Sequence, residues 1–111
     1  MSSQTIWSVS DLVPNSGVCA LVNFKGEDQQ VALFYVPDTE QEIFALGNWD
    51  PLGEANVMSR GIIGNIGEQL VVASPLYKQH YSLESGKCLE EDASLPVFPV
   101  KLDGDNVVLD I

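Results

Sequence analysis

The chain has 111 residues, 45% of them apolar and 19% charged, the composition of a folded globular protein and not of a disordered one. Sixteen acidic side chains against five basic ones give a formal net charge of −11. That balance excludes a nucleic-acid binder, which needs clustered Lys and Arg to displace counterions from phosphates, and it disfavours an anionic membrane surface.

The same field favours encounter with a basic protein surface. No apolar run approaches the roughly 18–20 residues needed to span a bilayer. The opening "MSSQTIWSVSD" has neither a positive segment nor an apolar one of signal-peptide type. The expectation is a soluble, cytoplasmic chain forming one domain over residues 1–111, with a core over about 5–110. Cys19 and Cys88 stand far apart, outside any CxxC or CxH pattern, in apolar strand-like surroundings. Buried, reduced thiols are expected.

In chain order the signals are those of short strands broken by turns. "TIWSVS" opens, and "DLVPNSG" is a turn-rich connection. "GVCALVNF" and "QQVALFYV" flank "KGED" as a hairpin. "QEIFALGN" follows, with Ile43 and Ala45 on one face and Phe44 and Leu46 on the other. "DPLGEANVMSRG" has room for a helical turn between Gly53 and Ser59. Then come "GIIGNIG", "EQLVVAS" and "QHYSLES", the last turning at Gly86 into "KCLE". Two further strands pair across Asp103-Gly104-Asp105-Asn106 near the end. This series predicts an all-β fold, a sandwich or small barrel of short antiparallel strands.

No self-contained active site emerges. His80 is the single histidine and reads as structural, with no nucleophile elbow around any serine. The glycines at 61, 64 and 67 precede another strand instead of a helix N-terminus, so they read as hairpin geometry. Glu90, Glu91 and Asp92 lack EF-hand spacing and read as a solvated turn.

Two stretches, "ALGNWDPLGE" and "SPLYKQHYSLESGKC", together resemble the ligand loops of a Rieske domain. In that family two Cys hold one iron of a [2Fe–2S] cluster and two His hold the other. Matching Asn48 and Pro51 puts Asp50 and Leu52 at the first loop's Cys and His positions. In the second loop Pro75, Leu76, Tyr81, Leu83, Gly86 and Cys88 fit the pattern, with Ser74 and Tyr77 at the ligand positions. All four ligands are therefore replaced, and soft thiolate donors are what Fe–S chemistry selects.

With "VMSRGIIG" and "ASPLYKQHYSLESGKCLE", the chain is similar to the small subunits of cytoplasmic NAD(P)H-dependent assimilatory nitrite reductases, which are Rieske-like without cluster ligands. This resemblance implies a Rieske-like β-sandwich with two loops at a vestigial cluster end, and no catalytic, cofactor-binding or metal residue in this chain. It implies a nitrite reductase large subunit as partner, carrying FAD, a [4Fe–4S] cluster and siroheme, which reduces nitrite to ammonium. Two other readings stand beside it: a Rieske-type [2Fe–2S] electron-transfer protein, and a free-standing β-sandwich interaction module. Trp49, Pro51, Leu52, Pro75, Leu76 and Tyr77 are expected to form an apolar cap over the loop ends. That cap either plugs the vacated site or docks the partner, with Arg60 and Lys78 at its rim.

Overall fold

The computed structural model describes residues 3–24, 26–76 and 78–110, and for 3–7, 24 and 110 it describes the backbone alone. The strands are β1 (Ser3–Ser8), β2 (Ser16–Phe24), β3 (Glu27–Tyr35), β4 (Ile43–Gly47), β5 (Trp49–Asp50) and β6 (Ala55–Asn56). They continue as β7 (Ile62–Ile66), β8 (Gln69–Ala73), β9 (His80–Ser82), β10 (Val97–Phe98), β11 (Val100–Asp103) and β12 (Asn106–Asp110). Single turns of 3-10 helix cover Val9–Asp11 and Met58–Arg60.

A four-stranded antiparallel sheet in the order β10-β4-β3-β2 forms the middle layer. A three-stranded sheet, β1-β12-β11, packs on one of its faces, and β7-β8-β9 packs on the other. The sequence alternation explains how. Ile43 and Ala45 of β4 join Val31, Leu33, Ala20, Val22, Val107 and Leu109 in a first core. Phe44 and Leu46, pointing the opposite way, join Ala32, Phe34, Met58, Val72, Tyr81 and Leu83 in a second. Both faces of β4 are covered, so all five of its residues are buried, the expected state of a strand between two apolar layers.

The hairpins β2–β3 and β11–β12 form as the sequence predicts, closing with Phe24 opposite Glu27 and Asp103 opposite Asn106. Gly86 turns the chain after β9 with a φ of 76°, and a Cβ there would stand 2.2 Å from the Leu95 carbonyl oxygen. Backbone and packing both require glycine at that point.

Two expectations change. The helical turn lies at Met58–Arg60, later than expected, because residues 55–56 pair with 49–50 instead. Cys19 is exposed and Cys88 half-buried, both free thiols. Cys19 faces outward because the second core does not extend over that part of β2. Among the described residues, no helix is long and apolar enough to cross a membrane.

Candidate functional site

The two loops singled out in the sequence prove to be local copies of one another. Asp50-Pro51-Leu52-Gly53-Glu54 closes with the Glu54 amide donating to the Asp50 carbonyl at 2.7 Å. The stretch from Ser74 to Lys78 closes the same way, the Lys78 amide donating to the Ser74 carbonyl at 3.0 Å. Glu54 and Lys78 both adopt left-handed backbone, with φ of 54° and 62°. In each loop the first side chain accepts the amide two residues on. Asp50 Oδ1 receives Leu52 N–H at 2.9 Å, and Ser74 Oγ receives Leu76 N–H at 3.3 Å. Asp and Ser make such turns readily, and the following Pro presets the φ that the turn needs.

The loops are joined through their first residues. Ser74 Oγ donates a hydrogen bond to Asp50 Oδ2. Asp50 Oδ1 also accepts from Gly53 N–H at 3.1 Å and from the Tyr81 hydroxyl at 3.3 Å. Asp50 is fully buried, as is Tyr81, and Ser74 is 1% exposed. A buried carboxylate is tolerable only when several donors surround it, and here there are four. Burial alone would raise the Asp50 pKa, but the bonds from Ser74, from the Gly53 and Leu52 amides and from Tyr81 hold it below the ordinary value. Burial pushes the Tyr81 phenol up, and the Asp50 carboxylate pushes it further.

Gly53 completes the join. A Cβ at this position would stand 2.5 Å from Leu76 Cδ1 and 2.9 Å from Asp50 Oδ2. Only glycine lets the amide reach the carboxylate while Leu76 of the other loop lies across it.

Asn48 anchors the first loop to the middle sheet. Its amide donates to the Gln30 carbonyl at 3.1 Å, and its carbonyl accepts Met58 N–H at 3.1 Å. Its side chain accepts Ser59 N–H at 2.7 Å and donates to Gln30 Oε1 at 3.0 Å. These bonds capture the start of the 3-10 turn and explain its position. His80, at the foot of the second loop, is tied to Glu90 by its backbone amide (2.8 Å) and by Nδ1 (2.6 Å). The bond from the His80 amide, and then that from its ring, hold the Glu90 carboxyl below its ordinary value. Glu90 therefore braces the second loop's base, although its neighbours Glu91 and Asp92 are solvated.

Of the expected cap residues, Trp49 and Leu76 are 49% and 45% exposed, and Pro75 is exposed too. Pro51 is half-buried, and Leu52 is half-buried against the second core. Tyr77 lies outside the described residues. At the junction the loops are held by polar bonds among Asp50, Ser74 and Tyr81, with Leu76 lying against Gly53. Sequence reading placed Asp50 and Ser74 but missed Asn48 and Tyr81 as their supports. The available signal was a polar residue just after β4 and a phenol within β9, each close in sequence to a loop.

Residues 3–110 match the family described as Rieske-like [2Fe-2S] domain. The nitrite reductase (NADH) small subunit of Escherichia coli K12 is 42% identical over 87 residues, which cover 78% of this chain and 76% of that protein. The chain belongs to the nitrite reductase small-subunit family, with a Rieske-like fold. The solution structure of the nitrite reductase [NAD(P)H] small subunit of Erwinia carotovora superposes with a TM-score of 0.79 at 40% identity, covering 100% of this chain and 83% of that one. A Klebsiella oxytoca protein named nitrite reductase [NAD(P)H] large subunit is 40% identical over 81 residues, 72% of this chain but 8% of that protein.

A Rieske-like fold implies a [2Fe–2S] cluster, and this member of the small-subunit family does not present the donors for one. Asp50 and Ser74, which the resemblance aligns with the thiolate ligands, are hydrogen-bonded directly to each other, leaving no gap between them for iron. The Asp50 oxygens are already taken by four donors, and Leu52, which the resemblance aligns with the first His, has no donor atom. Among the described residues, no group of three or more His, Cys, Asp or Glu side chains is placed to hold a metal. The Asp50–Ser74 bond joins the two loops directly.

Proposed function

We propose that this chain is the non-catalytic small subunit of a cytoplasmic NAD(P)H-dependent nitrite reductase, acting in nitrite assimilation as one domain over residues 1–111. Its partner is a large subunit whose FAD, [4Fe–4S] cluster and siroheme carry the six-electron reduction of nitrite to ammonium. The observation that carries this reading is the 42% identity with the E. coli small subunit along most of both chains. The match inside a Klebsiella oxytoca large subunit supports it, because a module of this kind there forms part of the same polypeptide as the rest of that protein. Trp49, Pro75 and Leu76 are exposed apolar side chains at or beside loops that the Asp50–Ser74 bond ties together, which suits them to a docking role.

Co-expression with a large subunit tests the reading. The two chains are expected to co-purify, and NAD(P)H oxidation coupled to ammonium formation is expected to fall when this chain is omitted. Failure of the two to associate, together with full activity of the large subunit alone, would overturn it. A brown preparation of this chain containing iron and sulfide would overturn the cluster-less part.

A further inference from the structure

The second face of the middle sheet is not covered along its whole length. On β3, Ala32 and Phe34 are buried beneath β7–β9, while Asp28 and Gln30, further along the same face, are exposed. Their cross-strand partners on β2, Asn23 and Leu21, are exposed as well, Leu21 at 68%. Where this face emerges beside the first loop, a groove of about 430 Å³ opens, lined among others by Leu21, Asp28, Gln30, Trp49, Pro51 and Pro96.

The lining combines an apolar platform with polar side chains and one carboxylate. Trp49, Leu21 and the two prolines offer rigid apolar contact, of the kind that anchors binding hot spots. Gln30 is held by Asn48, itself bonded to the 3-10 turn, so the wall of the groove is set before anything binds. Among the described lining residues Asp28 supplies the charge, and neither Lys nor Arg joins it.

We infer that this groove docks an extended segment of the large subunit that carries an apolar or aromatic anchor beside Lys or Arg. The inference rests on the nitrite reductase reading above and deepens it by naming the surface and the chemistry of its occupant. Charge selects that occupant. A second copy of this chain brings its own net charge of −11 and sets Asp28 against like charge, whereas a basic segment is attracted by both. A phosphate-bearing ligand meets the same repulsion as a second copy.

The test measures the affinity of the full chain for the purified large subunit, with Trp49→Ala, Leu21→Thr, Asp28→Lys and, on the β7–β8 hairpin outside the groove lining, Ile62→Ser. Trp49→Ala is expected to raise Kd about 30-fold. Asp28→Lys is expected to raise it about 10-fold and to flatten its salt dependence. Ile62→Ser, at a side chain 75% exposed and outside the groove, is expected to leave Kd unchanged. Thermal melting of each variant within about 4 °C of wild type shows that folding is intact. If wild type binds and all three groove variants bind equally well, the groove inference falls and the nitrite reductase reading stands. If wild type does not bind the large subunit at all, both fall. Self-association of wild type that Trp49→Ala abolishes would assign the groove to a second copy and overturn the inference.

Discussion

Replacing Asp50 with Ala tests what holds the loop end together. The substitution removes the acceptor for the Ser74 and Tyr81 hydroxyls and for the Leu52 and Gly53 amides, in a site closed to solvent. A hydrogen bond to a charged group contributes about 1.5–3 kcal/mol, but four sharing one carboxylate are not additive. Leaving buried donors without an acceptor is expected to cost about 3–5 kcal/mol in all, a large part of the stability of an ordinary domain. For a chain of this length that corresponds to a melting temperature lower by about 12–20 °C. Urea unfolding followed by tryptophan fluorescence measures the loss, and Trp49 sits beside the affected residue. Asp50→Asn keeps the size and one acceptor oxygen, so it is expected to lose less, about 1–3 kcal/mol. A loss below about 1 kcal/mol for Asp50→Ala would show that apolar packing, and not this carboxylate, joins the loops.

Three other outcomes follow from the same geometry. Folding lowers the Asp50 pKa, so its contribution is present above the unfolded value of about 3.9 and is lost as pH falls through the lower folded value. Acid unfolding of wild type is therefore expected to be steeper below about pH 4 than that of Asp50→Asn, and identical acid profiles would refute the coupling. Tyr81→Phe removes the 3.3 Å bond while keeping the ring in the second core, and is expected to cost about 1 kcal/mol in urea unfolding. With the phenol pKa raised by folding, the Tyr81 contribution is present below the unfolded value of about 10 and is lost as pH rises through the folded one. Gly53→Ala forces Leu76 and Asp50 away from the new methyl group, and is expected to destabilise by about 1–3 kcal/mol and to shift the Trp49 emission. An unshifted spectrum with unchanged stability would show that the loops are not in contact there.

The strand series, the β2–β3 and β11–β12 hairpins and the two-faced character of β4 were legible because period-two alternation and turn residues are local signals. The loops were legible through "DPLGE" and "SPLYK", whose first residues the resemblance aligns with the Cys of a Rieske loop. The resemblance placed the two loops at one end, but the bond that joins them was not legible, because Asp50 and Ser74 are brought together by the packing of β7–β9 on the middle sheet. Tyr81 read as a strand aromatic, and nothing beside it in the chain indicates that its hydroxyl reaches Asp50. Asn48 read as a strand end that aligns the first loop, and nothing beside it in the chain indicates that it accepts the Met58 and Ser59 amides and so sets the start of the 3-10 turn. Cys19 read as buried because its strand is apolar, whereas exposure depends on how far the second core extends.

The sequence by itself determined an acidic all-β chain with two Pro-Leu loops, since composition, alternation and turn motifs are properties of neighbouring residues. The tertiary structure alone decided what joins the two loops and which part of the middle sheet stayed open. A buried carboxylate must gather its donors from wherever the fold brings them, and those donors come from both loops and from β9.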